Sequence, residues 1–195
     1  MPQISAQEFE QLPLRVHTLL ADVPLHDVWV VELPRVRPGI TLEAFRRSAR
    51  DGFFTPSPAV RALLKLRFFV GRLLGWDRGR AEVISAEAFA NRLTPADRAA
   101  SLAPAGRKDG AFRVVYRFEN EQLVELINRT AHAAALSALV ETGISYRFYF
   151  AVYVRNVGRL TPLYMAAIDP FRKLIVYPSL LRSVRATWSR TVGAS

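Results

Sequence analysis

The segment Ser145–Arg155 constrains this chain more than any other. Over eleven residues it sets Tyr146, Phe148, Phe150, Val152 and Val154 against Arg147, Tyr149, Tyr153 and Arg155. A two-residue period is the signature of an extended strand. The first set is wholly apolar or aromatic and has to be covered by another layer of the fold. The second set keeps Tyr149, Ala151 and Tyr153 between two arginines, a composition typical of interfaces. Two covers for that second face stay open: a homodimer contact, or the N-terminal helices of the same chain.

Other strands gather around this one. Phe112–Phe118 alternates Phe112, Val114, Tyr116 and Phe118 against Arg113, Val115 and Arg117, which predicts a half-buried strand. Glu119-Asn120 is a turn, and Gln122–Asn128 reads as the return strand of a hairpin. Asp27–Leu33 is β-branched and aromatic and is closed by Pro34, so it reads as the first strand. Ala131–Val140 is ambiguous from its own residues, because its alanines favour helix while its neighbours are strands. Ala103–Gly110 is a loop by its Pro, Gly and charge content.

Helices flank these strands. Ser5 and Glu8 stand at capping-box spacing, predicting a short helix from Ala6 that Pro13 stops. Thr41 caps a helix through Arg50 that puts Leu42, Phe45 and Ala49 on one face, with Gly52 ending it. Ser57-Pro58 opens an amphipathic helix carrying Ala59, Leu63, Leu66, Val70 and Leu73, which Gly75 stops. Thr94-Pro95 within the Ala-rich stretch Ser85–Ser101 predicts one or two short helices. From Leu160 a helical stripe of Tyr164, Ile168, Phe171, Ile175, Leu181, Val184 and Trp188 runs on, and Pro170 and Pro178 within it should kink or break the helix.

Half of the 195 residues are hydrophobic and the formal net charge is +10. Of the 27 basic residues only Lys65, Lys108 and Lys173 are lysine, and the arginines run from Arg15 to Arg190 without forming a block. This spread reads as solvated scaffold charge rather than a nucleic-acid surface. The absence of cysteine excludes disulfides and thiolate metal ligands. Apolar runs are strand-sized, so no transmembrane span is expected, and Met1–Glu8 lacks the pattern of a secretory leader. A cytoplasmic location is the resulting expectation. Phosphate-binding, nucleophile-elbow and zinc-protease motifs do not occur, so no cofactor and no metal are expected.

Several strings resemble an uncharacterised bacterial domain family: Thr161-Pro-Leu-Tyr-Met-Ala-Ala-Ile-Asp-Pro-Phe-Arg-Lys-Leu-Ile-Val-Tyr-Pro-Ser-Leu-Leu, Phe112-Arg-Val-Val-Tyr-Arg-Phe-Glu, Asn128-Arg-Thr-Ala-His and Ala151-Val-Tyr-Val. Pro170-Phe-Arg followed by Ile175-Val-Tyr-Pro is the most specific part. That family is related to the helix-grip superfamily of polyketide cyclases and START lipid-transfer domains. The resemblance implies an α+β helix-grip fold, a curved antiparallel sheet around a long, Pro-kinked C-terminal helix. It makes residues 25–190 one such domain, with 1–24 a helical extension, and it tips Ala131–Val140 to strand. Fold kinship brings no activity with it.

Between sheet and helix such a fold has room for a small apolar or amphipathic molecule. Tyr116, Tyr146, Phe148, Phe150 and Tyr164 are the expected apolar lining, with Asn128, Thr130 and His132 as a polar row at period two along one strand. The plain alternative for that row is satisfied backbone or solvent. His132 is the weak candidate for a catalytic acid or base in a cyclase- or dehydratase-like reaction, with Glu125, Glu141 or Asp169 as spatial neighbours. Asp169 and Arg172 suit a helix-surface pair, with Asp169 as an N-cap or first-turn acid after which Pro170 starts a new helix. A third reading is an interaction module using the basic surface. The basic turns Arg172-Lys173 and Arg182–Arg185 suit peripheral contact with anionic headgroups or plain solvation.

Overall fold

The computed structural model describes residues 4–49, 86–127, 132–157 and 160–192, without the side chains of 160–164 and 167. The helix expected from Ser57 to Gly75, the Gly52 stop, and Asn128 and Thr130 lie outside the described residues, as does the side chain of Tyr164.

Strands β1 (Leu25–Pro34), β2 (Lys108–Asp109), β3 (Phe112–Arg117), β4 (Glu121–Ile127), β5 (His132–Glu141) and β6 (Ser145–Arg155) form one six-stranded antiparallel sheet. Their order is β1-β6-β5-β4-β3-β2, so the first and last strands are neighbours. β6 matches the alternating segment residue for residue, and β5 resolves the ambiguous alanine-rich stretch as strand. The segment expected to be loop up to Gly110 supplies β2, where Asp109 pairs with Phe112. The intervening two-residue turn needs a positive φ, which Gly110 provides at 62°.

Each face of the sheet has its own cover. On the back face, α1 (Ala6–Glu10), α2 (Arg15–Leu19) and a 3₁₀ turn (Phe89–Arg92) pack Phe9, Val16, Leu19, Leu20 and Phe89 against Val28, Val30, Tyr116, Leu136, Tyr149, Ala151 and Tyr153. Of the two covers left open for Tyr149 and Tyr153, the N-terminal helices are the one observed; both tyrosines are buried and Phe9 lies 6.1 Å from the Tyr149 ring. Tyr149 and Tyr153 are therefore not presented to a second copy. Helix starts follow their capping signals. Ser5 accepts from the Glu8 N–H, and Thr41 accepts from the Ala44 N–H at the head of α3 (Leu42–Ser48). Thr94 forms a full capping box with Asp97 at the head of α4 (Pro95–Ala100).

The front face carries the C-terminal helix, with α5 (Leu160–Phe171), a π-helical turn (Arg172–Val176) and α6 (Tyr177–Thr191) running on without a break. Pro178 lacks the N–H that an α-helix would aim at the Leu174 carbonyl, and it follows directly on the widened turn, in which the Tyr177 N–H reaches back five residues to the Arg172 carbonyl. Along α6, Leu180, Leu181, Val184 and Trp188 bury against Val31, Leu33, Leu139, Tyr146 and Phe148. Trp188 is fully buried, with Phe45 and Tyr146 at 5.1 Å and 5.2 Å, and its indole N–H donates to the Pro34 carbonyl at 3.1 Å. This half of the trough is filled.

The other half is less tightly closed. The helix lies over β1 and β6, and the front-facing residues of β4 and β5 beside it, Val124, Leu126, Ala133, Ala135 and Ser137, are only half-buried. Trp29 and Phe150 at the helix's foot are half-buried too. Small side chains on β5 are what keep this floor low: a β-carbon or a hydroxymethyl reaches far less than the Leu139 that continues the row into the filled half.

Candidate functional site

A charged cluster sits where the foot of the C-terminal helix meets the start of β1. A β-bulge between Leu25 and Asp27 breaks the strand's register at His26. Consecutive strand residues ordinarily face opposite sides, and the extra residue re-aims them. In consequence both His26 and Asp27 reach the helix. The His26 ring nitrogen Nε2 lies 2.9 Å from Asp169 Oδ1 and 3.1 Å from its Oδ2, while Asp27 Oδ2 accepts from Arg172 Nη2 at 3.2 Å.

The π turn does the matching work on the helix. In an α-helix at 3.6 residues per turn, positions five apart point about 140° away from each other. With the wider turn, Arg172 and Tyr177 share a face: Arg172 donates to the Tyr177 hydroxyl, which in turn donates to Asp27 Oδ2 at 3.4 Å. Arg172 also donates to Asp169 Oδ1 at 3.0 Å, and Lys173 lies 3.5 Å from Asp169 Oδ2. Tyr177 packs its ring on Trp29 at 5.4 Å and on Phe150 at 5.6 Å.

Charge in the cluster grades from rim to floor. His26 and Asp169 keep 26% and 21% of their side-chain surface, Arg172 13% and Asp27 1%. Burial raises the Asp27 pKa above the ordinary carboxylate range, against the pull of Arg172 and His26. At Asp169 burial works in the same direction, but the His26 hydrogen bond with Arg172 and Lys173 outweighs it and the net shift is downward. Burial also raises Tyr177, again opposed by Arg172. Two buried atoms here have no hydrogen-bond partner: Asp27 Oδ1, an acceptor, and Trp29 Nε1, a donor. They belong to residues two apart on the same strand and face.

The residues expected to line one cavity divide between the two faces. Tyr146, Phe148 and Phe150 are on the front face, the first two sealed by α6 and only Phe150 beside the open floor. Tyr116 is on the back face, its hydroxyl donating to Glu121 Oε2 at 3.3 Å. A second bulge, between Val114 and Tyr116, is the reason. It breaks the alternation on which the strand reading relied, so that Val114, Val115, Tyr116 and Arg117 are all buried while Phe112 is 38% exposed.

His132 is also on the back face. It is fully buried, stacked on Phe89 with centroids 3.8 Å apart, and its Nε2 lies 2.9 Å from Glu125 Oε2. The same carboxylate oxygen accepts the Phe89 N–H at 2.8 Å. Of the three neighbours considered for His132, Glu125 is the one found. The pair pins the 3₁₀ turn to the sheet and faces away from the C-terminal helix, so a polar row including His132 does not line the front trough. Asp169 does not cap a new helix, because Pro170 lies inside α5 and the helix passes through it; the pair with Arg172 forms as expected.

Sequence spacing could not unite His26 and Asp27 with a helix about 140 residues away. The motif Asp169-Pro-Phe-Arg172…Tyr177, however, marked the helix half of the cluster. A separate depression of about 470 Å³ borders the outer edge of β1, lined by Ile4, Glu8, Val30, Val31, Glu32, Arg147 and Arg185. Arg147 there is paired with Glu8 and Glu32. No group of metal-ligating side chains occurs among the described residues, and no helix among them is long and apolar enough to cross a membrane.

Residues 19–179 match a protein family described as "Protein of unknown function (DUF2867)". No curated protein and no solved structure matches the chain.

Proposed function

We propose that this chain, which belongs to the DUF2867 family of proteins of unknown function, binds a small apolar or amphipathic molecule between its sheet and its C-terminal helix. The observation that carries the reading is the asymmetry of the front face. One half is packed solid around Trp188, while the other keeps a floor of Val124, Leu126, Ala133, Ala135 and Ser137 half-buried beside Trp29 and Phe150. A folded chain gains by burying such apolar surface, at roughly 25 cal/mol per Å². A low, half-covered apolar strip with one polar cluster at its side has the composition of a ligand groove.

Cross-strand register ties cluster to floor. Asp27, Val152, Ala135 and Val124 form one row across β1, β6, β5 and β4. Strands lie 4.7–4.9 Å apart, so Asp27 and Ala135 are roughly 10 Å from each other. An amphipathic molecule would lay its apolar body along β4 and β5 and its polar end toward Asp27, Arg172 and Tyr177. Kinship with the helix-grip superfamily and a Pro-kinked helix belong to the same proposal; a curved antiparallel sheet with the closing helix on one face supports them. A bacterial source, a cytoplasmic place and peripheral contact with membranes during loading are parts of it too.

The rival reading, a cyclase- or dehydratase-like reaction in this groove with His132 and a tyrosine as proton handlers, loses its histidine, because His132 lies on the other face under Phe89. An interaction module using the basic surface loses part of its charge to pairing, since Arg15, Arg46, Arg92 and Arg172 are all bound to carboxylates.

A thermal-shift screen with alkyl and polycyclic amphiphiles tests the proposal. A ligand at a hundred times its Kd stabilises by about 2.7 kcal/mol, or roughly 5–10 °C for a chain of this size. Ala135→Phe fills the floor and should abolish the shift while leaving the unliganded Tm close to wild type. A panel that moves no Tm, or one that moves Ala135→Phe equally, refutes the groove.

A further inference from the structure

We infer that the outer edge of β1 docks an extended acidic peptide, which adds to the sheet as a further strand. β1 ends the strand order and pairs on one side only, with β6. The backbone groups it offers on the other side follow from the ladder. The Thr142 N–H donates to the Ser145 carbonyl at 2.8 Å, so the β5–β6 hairpin closes on a hydrogen-bonded pair. Such pairs recur at every second residue. Arg147, Tyr149, Ala151 and Tyr153 therefore bond to β5, while Tyr146, Phe148, Phe150 and Val152 turn to β1. Val154, in the second set, does donate to the Pro24 carbonyl at 3.1 Å. The partners on β1 are Leu33, Val31, Trp29 and Asp27, which leaves Val28, Val30 and Glu32 with N–H and C=O directed outward. Pro34 continues the outward set, and its carbonyl is met there by the Trp188 indole N–H at 3.1 Å. The outward groups of Val28, Val30 and Glu32 have no hydrogen-bond partner among the described residues.

Room lies beside these groups. The depression of about 470 Å³ has Val30, Val31 and Glu32 along the edge, Ile4 and Glu8 on the back side and Arg185 of α6 on the front. Glu8, Glu32 and Arg185 are exposed, so the slot opens to solvent. Sheet edges are ordinarily blunted by proline, bulges or charge. β1 carries its bulge at Leu25–Asp27 and its prolines at Pro24 and Pro34, all toward its ends. The open stretch from Val28 to Glu32 spans about 14 Å, the length of about five extended residues.

Charge selects the occupant. An added strand points alternate side chains to the back, toward Ile4, and to the front, toward α6. On the back, Arg147 is already matched by Glu8 and Glu32. On the front, Arg185 and Arg182 lie three apart on one helix face, and no acidic residue follows Asp169 in the chain. Neither arginine meets a carboxylate among the described residues; Arg182 donates to the Pro178 carbonyl of its own helix. Acidic side chains at every second position of the added strand would meet these cations, and apolar ones between them would meet Ile4 and Val30. A second copy is a poor fit. Antiparallel pairing of β1 with itself sets both α6 helices on one side of the joined sheet, Arg185 against Arg185.

The test uses the full ¹⁵N-labelled chain and a nine-residue peptide, acetylated and amidated, in which glutamate alternates with valine. Binding should slow hydrogen exchange of the Val28, Val30 and Glu32 amides by about tenfold or more and leave Trp29 and Val31, already in the ladder, unchanged. Methylating the peptide nitrogens at one set of alternate positions should abolish binding, and at the other set should spare it. Glutamine for glutamate in the peptide, or Arg185→Glu in the protein, should weaken binding by about fivefold or more, and Arg185→Glu should prefer a lysine–valine peptide. Arg185 is exposed, so this change leaves the fold intact. Binding that bypasses the three amides, tolerates methylation at both sets or ignores the charge at position 185 overturns the docking site. So does an absence of binding at millimolar peptide. A chain that sediments as a dimer, and as a monomer once Glu32→Pro removes one outward N–H, would give the edge to a second copy and equally overturn it.

Discussion

Replacing Glu125 offers the sharpest check on how the back face is held. In the native fold one carboxylate oxygen takes two buried donors, the Phe89 N–H at 2.8 Å and the His132 ring N–H at 2.9 Å, with Glu125 1% and His132 0% exposed. Glu125→Ala leaves both donors unsatisfied where water does not reach. Each unsatisfied buried donor costs about 1–3 kcal/mol, and breaking a buried pair from one side typically costs about 3–5 kcal/mol. Against a total stability of about 5–15 kcal/mol that is a large fraction, so Glu125→Gln is the safer companion. Its oxygen still serves one donor while its amide faces the other, and the cost should be about 1–3 kcal/mol. Urea unfolding followed by far-UV circular dichroism gives both values, provided the m-value is unchanged. Adding His132→Phe and the double variant closes a cycle, in which the paired groups should couple by at least about 1 kcal/mol. A Glu125→Gln cost below about 0.5 kcal/mol together with additive singles would refute the pinning role.

On the front face, Trp188→Ala should cost about 3–5 kcal/mol and Trp188→Phe much less, read from the same urea curves, since the indole fills the space between Phe45 and Tyr146. Acid sensitivity should shift with Asp97, whose pKa is held far below the usual carboxylate range chiefly by the Arg15 side chain, with Thr94 assisting. A depressed folded pKa gives stability that is present above the unfolded value and lost as pH falls from about 4, so Asp97→Asn should flatten the acid limb of a stability–pH profile. Asp27 has the opposite sign: its raised pKa gives a contribution that is full below the unfolded value and lost as pH rises through the folded one. Measured against wild type, Asp27→Asn should therefore gain in relative stability from about pH 4 upward.

How far the sequence foretells the molecule depends on what kind of signal each part carries. Ser145–Arg155 states its strand in full because one face is wholly apolar or aromatic and the period never slips. The caps at Ser5, Thr41 and Thr94 are equally plain, since each is a short-range pairing of one side chain with a backbone N–H three residues on. Where a strand bulges, the period misleads. Phe112 and Tyr116 have the same parity, yet one is exposed and the other deep under the N-terminal helices. The candidate site escapes for a related reason. Its sheet half depends on the bulge at His26, its helix half on a π turn, and neither leaves a mark in a two- or 3.6-residue pattern. The string Pro170-Phe-Arg…Tyr177 is conspicuous in the sequence, but nothing in it names Asp27 as the partner.

The wide turn at Arg172–Val176 also sets a rule for how this chain can change length. It holds one residue more than a tight coil would need, and that surplus is the clutch between two gears: the Asp169–Arg172 end meshes with the start of β1, the Leu181–Trp188 end with its finish. Remove Leu174, which is 77% exposed, and the rod can wind evenly with Arg172 and Tyr177 four positions apart, about 40° from each other on one face, so both gears stay engaged. A one-residue deletion within the regular coil of α6 has no such surplus to absorb it; it turns the two ends by about 100° relative to each other, and only one gear could engage. The wide turn is thus the one place in this rod where a residue can be lost without changing what its two ends face.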